Sequence, residues 1–160
     1  QHIIASFSIN TPKAAEKWEK GAAPPKERIK AAAQLQQTGY EVRIRVDPII
    51  PYENYLKDYK KLLDEIFKQL KPTRITLGTL RGLQTTLRMA RDKSWTQYLK
   101  EKTKWGLKPP IETRIQTYGN LIAHLKREYN YDKVALCKEP VKTWKKLGLN
   151  WKKCECNCVW

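Results

Sequence analysis

The chain has 160 residues, 41% of them hydrophobic, enough for one domain with a core of its own. Its 32 Lys and Arg outnumber 16 Asp and Glu, giving a formal net charge of +16. A polyanion, with nucleic acid (DNA) foremost, is therefore the natural partner, because basic side chains release the counterions condensed on phosphates. No stretch is long and apolar enough to span a membrane and nothing points to secretion, so no membrane partner and a cytoplasmic setting are expected.

Ser6-Phe7-Ser8-Ile9-Asn10 alternates polar with apolar residues and runs into Thr11-Pro12, which predicts a strand with Phe7 and Ile9 on one face. After the linker-like Gly21-Ala22-Ala23-Pro24-Pro25, a helix is predicted from Pro25 to Thr38, closed by Gly39. Val42-Arg43-Ile44-Arg45-Val46-Asp47 repeats the alternation and ends at Pro48. From Asn54, an apolar stripe of Tyr55, Tyr59, Leu62, Leu63, Ile66 and Phe67 predicts a second helix, stopped by Lys71-Pro72. Arg74 to Gly78 reads as a third strand, Ile111 to Tyr129 as a long helix and Lys133 to Cys137 as a last strand.

An antiparallel sheet with one wet face would show the same alternation, but long helices between short strands are crossovers, which parallel strands require. The expected fold is α/β: about four mostly parallel strands with crossover helices, forming part of a (β/α) barrel whose concave face is polar in every strand. Residues 1–150 are assigned to this half-barrel and 151–160 to a Cys-rich tail. The first strand would keep a bare edge, so further polypeptide before Gln1, in the same product or as a separate subunit, is expected to complete the sheet.

Two regions carry candidate chemistry. Between Arg81 and Lys108, cations (Arg81, Arg88, Arg91, Lys93 and Lys104 among them) interleave with Trp95 and Trp105, a composition suited to single strands or extruded bases. The plainer reading is that the two tryptophans cover the core beneath a basic insertion. At the end of the chain, Cys154, Cys156 and Cys158 would lie about 7 Å apart along an extended strand, whereas a shared zinc ion needs sulfurs within about 4 Å of each other. A turn would have to gather them, with or without Cys137, and a reduced tail without metal is the plainer reading.

The segments S-F-S-I-N-T-P-K, P-P-K-E-R-I-K-A-A-A-Q-L-Q-Q-T-G-Y-E-V-R-I-R-V-D-P-I-I-P and I-T-L-G-T-L-R resemble the C-terminal half of a spore photoproduct lyase-like radical S-adenosylmethionine (AdoMet) protein. The resemblance implies AdoMet as cofactor, damaged DNA as substrate and a [4Fe-4S] cluster on a Cys-x3-Cys-x2-Cys loop. It places Ser8 and Asn10 where the family binds the methionine or ribose part of AdoMet, with Arg45 and Asp47 beside the same cavity. The residues alone equally allow a bonded strand hydroxyl for Ser8, a turn cap for Asn10 and an internal ion pair for Arg45 with Asp47. Cys137, Cys154, Cys156 and Cys158 do not reproduce the cluster spacing, so this chain is not expected to bind the cluster. Two readings follow: the C-terminal portion of a radical AdoMet enzyme acting on damaged DNA, inactive alone, or a non-catalytic basic nucleic-acid-binding module or subunit that completes a partner's barrel.

Overall fold

The β-branched residues of the second predicted strand form the centre of the molecule. In the computed structural model, which describes residues 3–153, the strands β1 (Ile4–Ser8), β2 (Glu41–Ile49) and β3 (Arg74–Thr79) lie side by side. A later strand at Val134–Leu136 joins the far side of β3, and every pairing in this four-stranded sheet is parallel. Val42, Ile44 and Val46 on β2, with Ile75 and Leu77 on β3, are at most 1% exposed and face the helices. The register aligns Ser8 with Arg45 and Arg45 with Thr76, so the polar side chains of adjacent strands share the opposite face.

The crossovers are helical. α1 (Pro12–Trp18) and α2 (Pro25–Gln37) connect β1 to β2, and α3 (Tyr55–Gln69) connects β2 to β3. α1 is an addition to the elements expected from sequence, although its signal is present. Thr11 Oγ1 accepts the Ala14 N–H at 3.2 Å and Pro12 occupies the first turn, where its missing N–H costs nothing. Beyond β3 come α4 (Gln84–Met89), a 3-10 turn (Ser94–Tyr98) and an antiparallel hairpin of β4 (Glu101–Thr103) and β5 (Gly106–Lys108). α5 (Ile111–Tyr129) then leads to β6 (Val134–Leu136), followed by α6 (Val141–Lys146) and a 3-10 turn (Trp151–Lys153). Of the expected Cys-rich tail, residues 154–160 lie outside the described residues.

The expectation of a wet concave face on every strand needs correction. Ser6 and Ser8 are exposed, but Thr76 is 1% exposed, and Ala135 and Cys137 on the last strand are buried as well. Side chains from β2 lean across this face, as the site below shows, so only the β1 side is open.

α3 packs against α5 through Tyr59, Leu63 and Ile66 on one side and Tyr118, Leu121 and Leu125 on the other, all fully buried. At the solvent edge of this contact Asp64 Oδ1 lies 2.6 Å from His124 Nε2 and accepts the Tyr129 hydroxyl at 2.6 Å. The two residues are 60 apart in the sequence, and no local pattern marks the pair. Burial opposes the Asp64 charge, but the hydrogen bonds from Tyr129 and His124 outweigh it and hold the carboxyl below its ordinary value. A carboxyl so depressed stabilises the fold above its unfolded pKa, and that contribution is lost as pH falls through its folded pKa. Asp64→Asn is therefore less stable than the parent at neutral pH in urea unfolding, and the gap narrows from about pH 5 to about pH 2.

Candidate functional site

The carboxyl ends of β1, β2 and β3 open into a cleft of about 960 Å3, within the usual range of about 300–1,000 Å3 for small-molecule sites. Ser8, Asn10, Arg45 and Asp47 line it, and Arg81, Arg91 and Trp95 close it from the segment after β3. The position beyond the carboxyl ends of parallel strands is where ligands of such sheets bind.

Its floor is an ion cluster. Asp47 sits where the β2–β3 register shifts, between Val46 and Ile49, and its carboxylate lies against Gly78 of β3. A Cβ on Gly78 would fall 2.6 Å from Asp47 Cγ, so only glycine leaves room for the carboxylate. Asp47 Oδ2 receives Arg45 Nη2 at 3.0 Å and Arg81 Nη2 at 3.0 Å, and its side chain is 5% exposed. Two guanidiniums thus share one carboxylate. Among the described residues Arg81 Nη1 is buried without an acceptor. Arg45 Nη2 also reaches Cys137 Sγ at 3.2 Å, and burial pushes the Cys137 thiol above its ordinary pKa, so it remains a neutral thiol.

Asn10 has a different place from its neighbours. Its Nδ2 donates to Glu19 Oε1 (2.9 Å) and Pro48 O (3.1 Å), while its Oδ1 accepts from the Thr11 N–H (2.9 Å) and the Tyr59 hydroxyl (2.7 Å). All four bonding positions of the amide are filled, which makes Asn10 a post joining β1, α1, the end of β2 and α3. Ser8 is exposed at the cleft rim, with its carbonyl accepting Arg28 Nη1 at 3.0 Å.

The basic-aromatic segment does not form one surface. Arg81, Arg91 and Trp95 line the cleft, whereas Lys104 and Trp105 lie on the hairpin and line a second groove. Arg88 and Lys93 are exposed and line neither. Trp95 is 8% exposed, and its indole N–H donates to Asp92 O at 2.7 Å, so it is first a core residue. Trp105 is partly exposed, with Lys104 Nζ 4.4 Å from its ring centre.

A second buried carboxylate, which sequence reading missed, holds the hairpin to the sheet. Glu139 receives Lys108 Nζ at 2.6 Å and Arg114 Nη1 at 2.5 Å, with all three side chains at most 2% exposed. Arg114 Nη2 extends the chain to Glu101 at 2.8 Å. Tyr118, whose hydroxyl burial keeps protonated, lies 3.1 Å from Glu139 and accepts the Thr79 N–H. Burial pulls the Lys108 ammonium below its ordinary pKa against the attraction of Glu139. The sequence holds Lys108 and Glu139 31 residues apart, and no local pattern marks the pair.

Among the described residues no cluster of His, Cys, Asp or Glu is arranged to hold a metal. Cys154, Cys156 and Cys158 lie outside the described residues. No described helix is long and apolar enough to cross a membrane.

A family model described as spore photoproduct lyase matches residues 1–80, half of the chain. The chain belongs to the spore photoproduct lyase family. It is 33% identical over 69 residues to the spore photoproduct lyase of Clostridium acetobutylicum, a match covering 43% of this chain and 20% of that protein. Solved structures of spore photoproduct lyase superpose with TM-scores of 0.65 and 0.66 at 17–18% identity. Among them are a complex with dinucleoside spore photoproduct and a mutant with bound AdoMet and that dinucleoside. These superpositions cover 83% of this chain and 43% of each lyase chain, so the chain spans a fifth to under half of the relatives it matches. The shared fold is an α/β sheet of parallel strands with crossover helices, part of a barrel.

Two stability measurements test the site's architecture. Gly78→Ala forces the Asp47 carboxylate aside and lowers unfolding free energy in urea by about 1–3 kcal/mol. Glu139→Ala strands the buried Lys108 ammonium, removes one of the two carboxylates on Arg114 and costs about 3–5 kcal/mol in the same assay.

Proposed function

We propose that this chain supplies the C-terminal portion of a radical AdoMet enzyme acting on damaged DNA. The observation that carries this reading is the cleft over the carboxyl ends of the parallel strands, floored by Asp47 with Arg45 and Arg81. The buried Arg81 Nη1 lacks an acceptor, and the methionine carboxylate of AdoMet is an acceptor of the right charge. Ser8 at the rim offers a hydroxyl to the same ligand, while Asn10 acts through its four bonds by holding β1 and α1 in place. AdoMet beside a reduced cluster supplies one-electron hydrogen abstraction.

The iron–sulfur cluster itself does not fit these residues. The sequence has no Cys-x3-Cys-x2-Cys motif, and Cys137 is buried against Arg45. In this reading the cluster comes from polypeptide that pairs with the outer edge of β1, and the chain is catalytically silent by itself. In the same reading residues 1–150 are the barrel portion and 151–160 a Cys-rich tail whose Cys154, Cys156 and Cys158 are metal-ligand candidates. Arg81 and Arg91 beside the cleft, and Lys104 and Trp105 on the hairpin, contact DNA, with the exposed Arg88 and Lys93 adding to its electrostatic attraction. A cytoplasmic setting, where thiols stay reduced, suits the unpaired Cys137.

The net charge of +16 with no cluster motif favours a second reading, a binding module without chemistry. Complementation separates the two. Mixed anaerobically with a polypeptide bearing the cluster loop, the chain is expected to support reductive cleavage of AdoMet to 5′-deoxyadenosine, and Arg81→Ala to weaken AdoMet binding about tenfold, equivalent to about 1.4 kcal/mol. Undiminished nucleic-acid binding without cleavage in any such mixture would leave the binding module as the function.

A further inference from the structure

The groove on the other side of the hairpin, about 490 Å3, is lined by four lysines. Lys102 and Lys104 rise from β4 and the turn that follows it, and Lys142 and Lys146 face them from α6. Lys142 and Lys146 are four residues apart in the sequence and so lie on one side of the helix. All four lysines are exposed, and among the described residues none forms an ion pair. Of the two carboxylates in the lining, Glu101 is engaged by Arg114, leaving Glu112 as the lone acidic group without an ion pair. Four like charges converging on one concavity repel one another, and an anion with several charges relieves that repulsion.

We propose that this groove is a second phosphate-contacting surface, holding the backbone of the nucleic acid that flanks the stretch contacted by Arg81 and Arg91 beside the first cleft. The proposal rests on the DNA-directed reading above and extends it to α6. Three features favour a nucleic-acid strand. Trp105 on the groove wall offers a ring for base stacking beside the lysines. The buried Lys108–Glu139–Arg114 bonds fix the hairpin to α5 and to the loop before α6, so the walls are formed before a ligand arrives. The two recesses are also joined through the backbone. Gly82, between the cleft residues Arg81 and Leu83, exchanges both backbone hydrogen bonds with Leu107 of the hairpin, at 2.8 and 3.1 Å.

The test is the salt dependence of oligonucleotide binding by the 160-residue chain, followed by fluorescence anisotropy on a single strand and a duplex. Lys142→Ala/Lys146→Ala is compared with Lys57→Ala/Lys61→Ala, which removes the same charge at the same spacing from the exposed side of α3. The α6 pair is expected to flatten the slope of log K against log salt by about 1.4 on the single strand and about 1.8 on the duplex. The α3 pair is expected to leave the slope unchanged. Equal slopes for the two double variants would overturn the proposal, as would an α6 pair that retains the parental slope but loses binding to polyglutamate, which would assign the groove to an acidic peptide. If the parent chain binds neither oligonucleotide, it is the underlying DNA reading that fails.

Discussion

Everything at the open end of this sheet depends on where the Asp47 carboxylate is put. A carboxylate that is 5% exposed has lost most of its hydration and is tolerable only with cations and donors around it. Arg45 and Arg81 supply them, and Gly78 supplies the space. That arrangement brings a residue of β2 over β3, and Arg45 continues it to Cys137 at the end of β6. The concave face is closed over these strands and left open at β1 as a result. The cleft is therefore a by-product of how one buried charge is neutralised.

The same device occurs a second time. Glu139 is to Lys108 and Arg114 what Asp47 is to Arg45 and Arg81: a buried carboxylate shared by two cations. The first builds the floor of the cleft and the second anchors the hairpin and α5. Much of the excess charge remains on exposed lysines around these anchors, where it adds long-range attraction for polyanions without desolvation cost. The chain belongs to the spore photoproduct lyase family and spans a fifth to under half of the relatives it matches.

The long elements were legible because each signal is local. The stripe from Tyr55 to Phe67 fixed α3, the spacing from Ile111 to Tyr129 fixed α5, and the alternation at Val42 to Asp47 fixed β2. Short elements were not. α1, the β4–β5 hairpin and α6 have three to seven residues each, too few for a periodicity to establish itself, although Thr11-Pro12 did carry a capping signal for α1.

Sequence by itself determined the parallel α/β class, the polar character of the strand face around Ser8, Arg45 and Asp47, and the pull toward polyanions, since periodicity, composition and charge are properties of the chain read in order. Tertiary structure alone decided which charges meet. Asp47 and Arg81 are 34 residues apart and Lys108 and Glu139 are 31 apart. It also decided that Asn10 is saturated by its own fold, and that one basic segment serves two recesses. Those outcomes follow from desolvation, which acts on whatever groups the folded chain brings together and leaves no trace in their spacing along it.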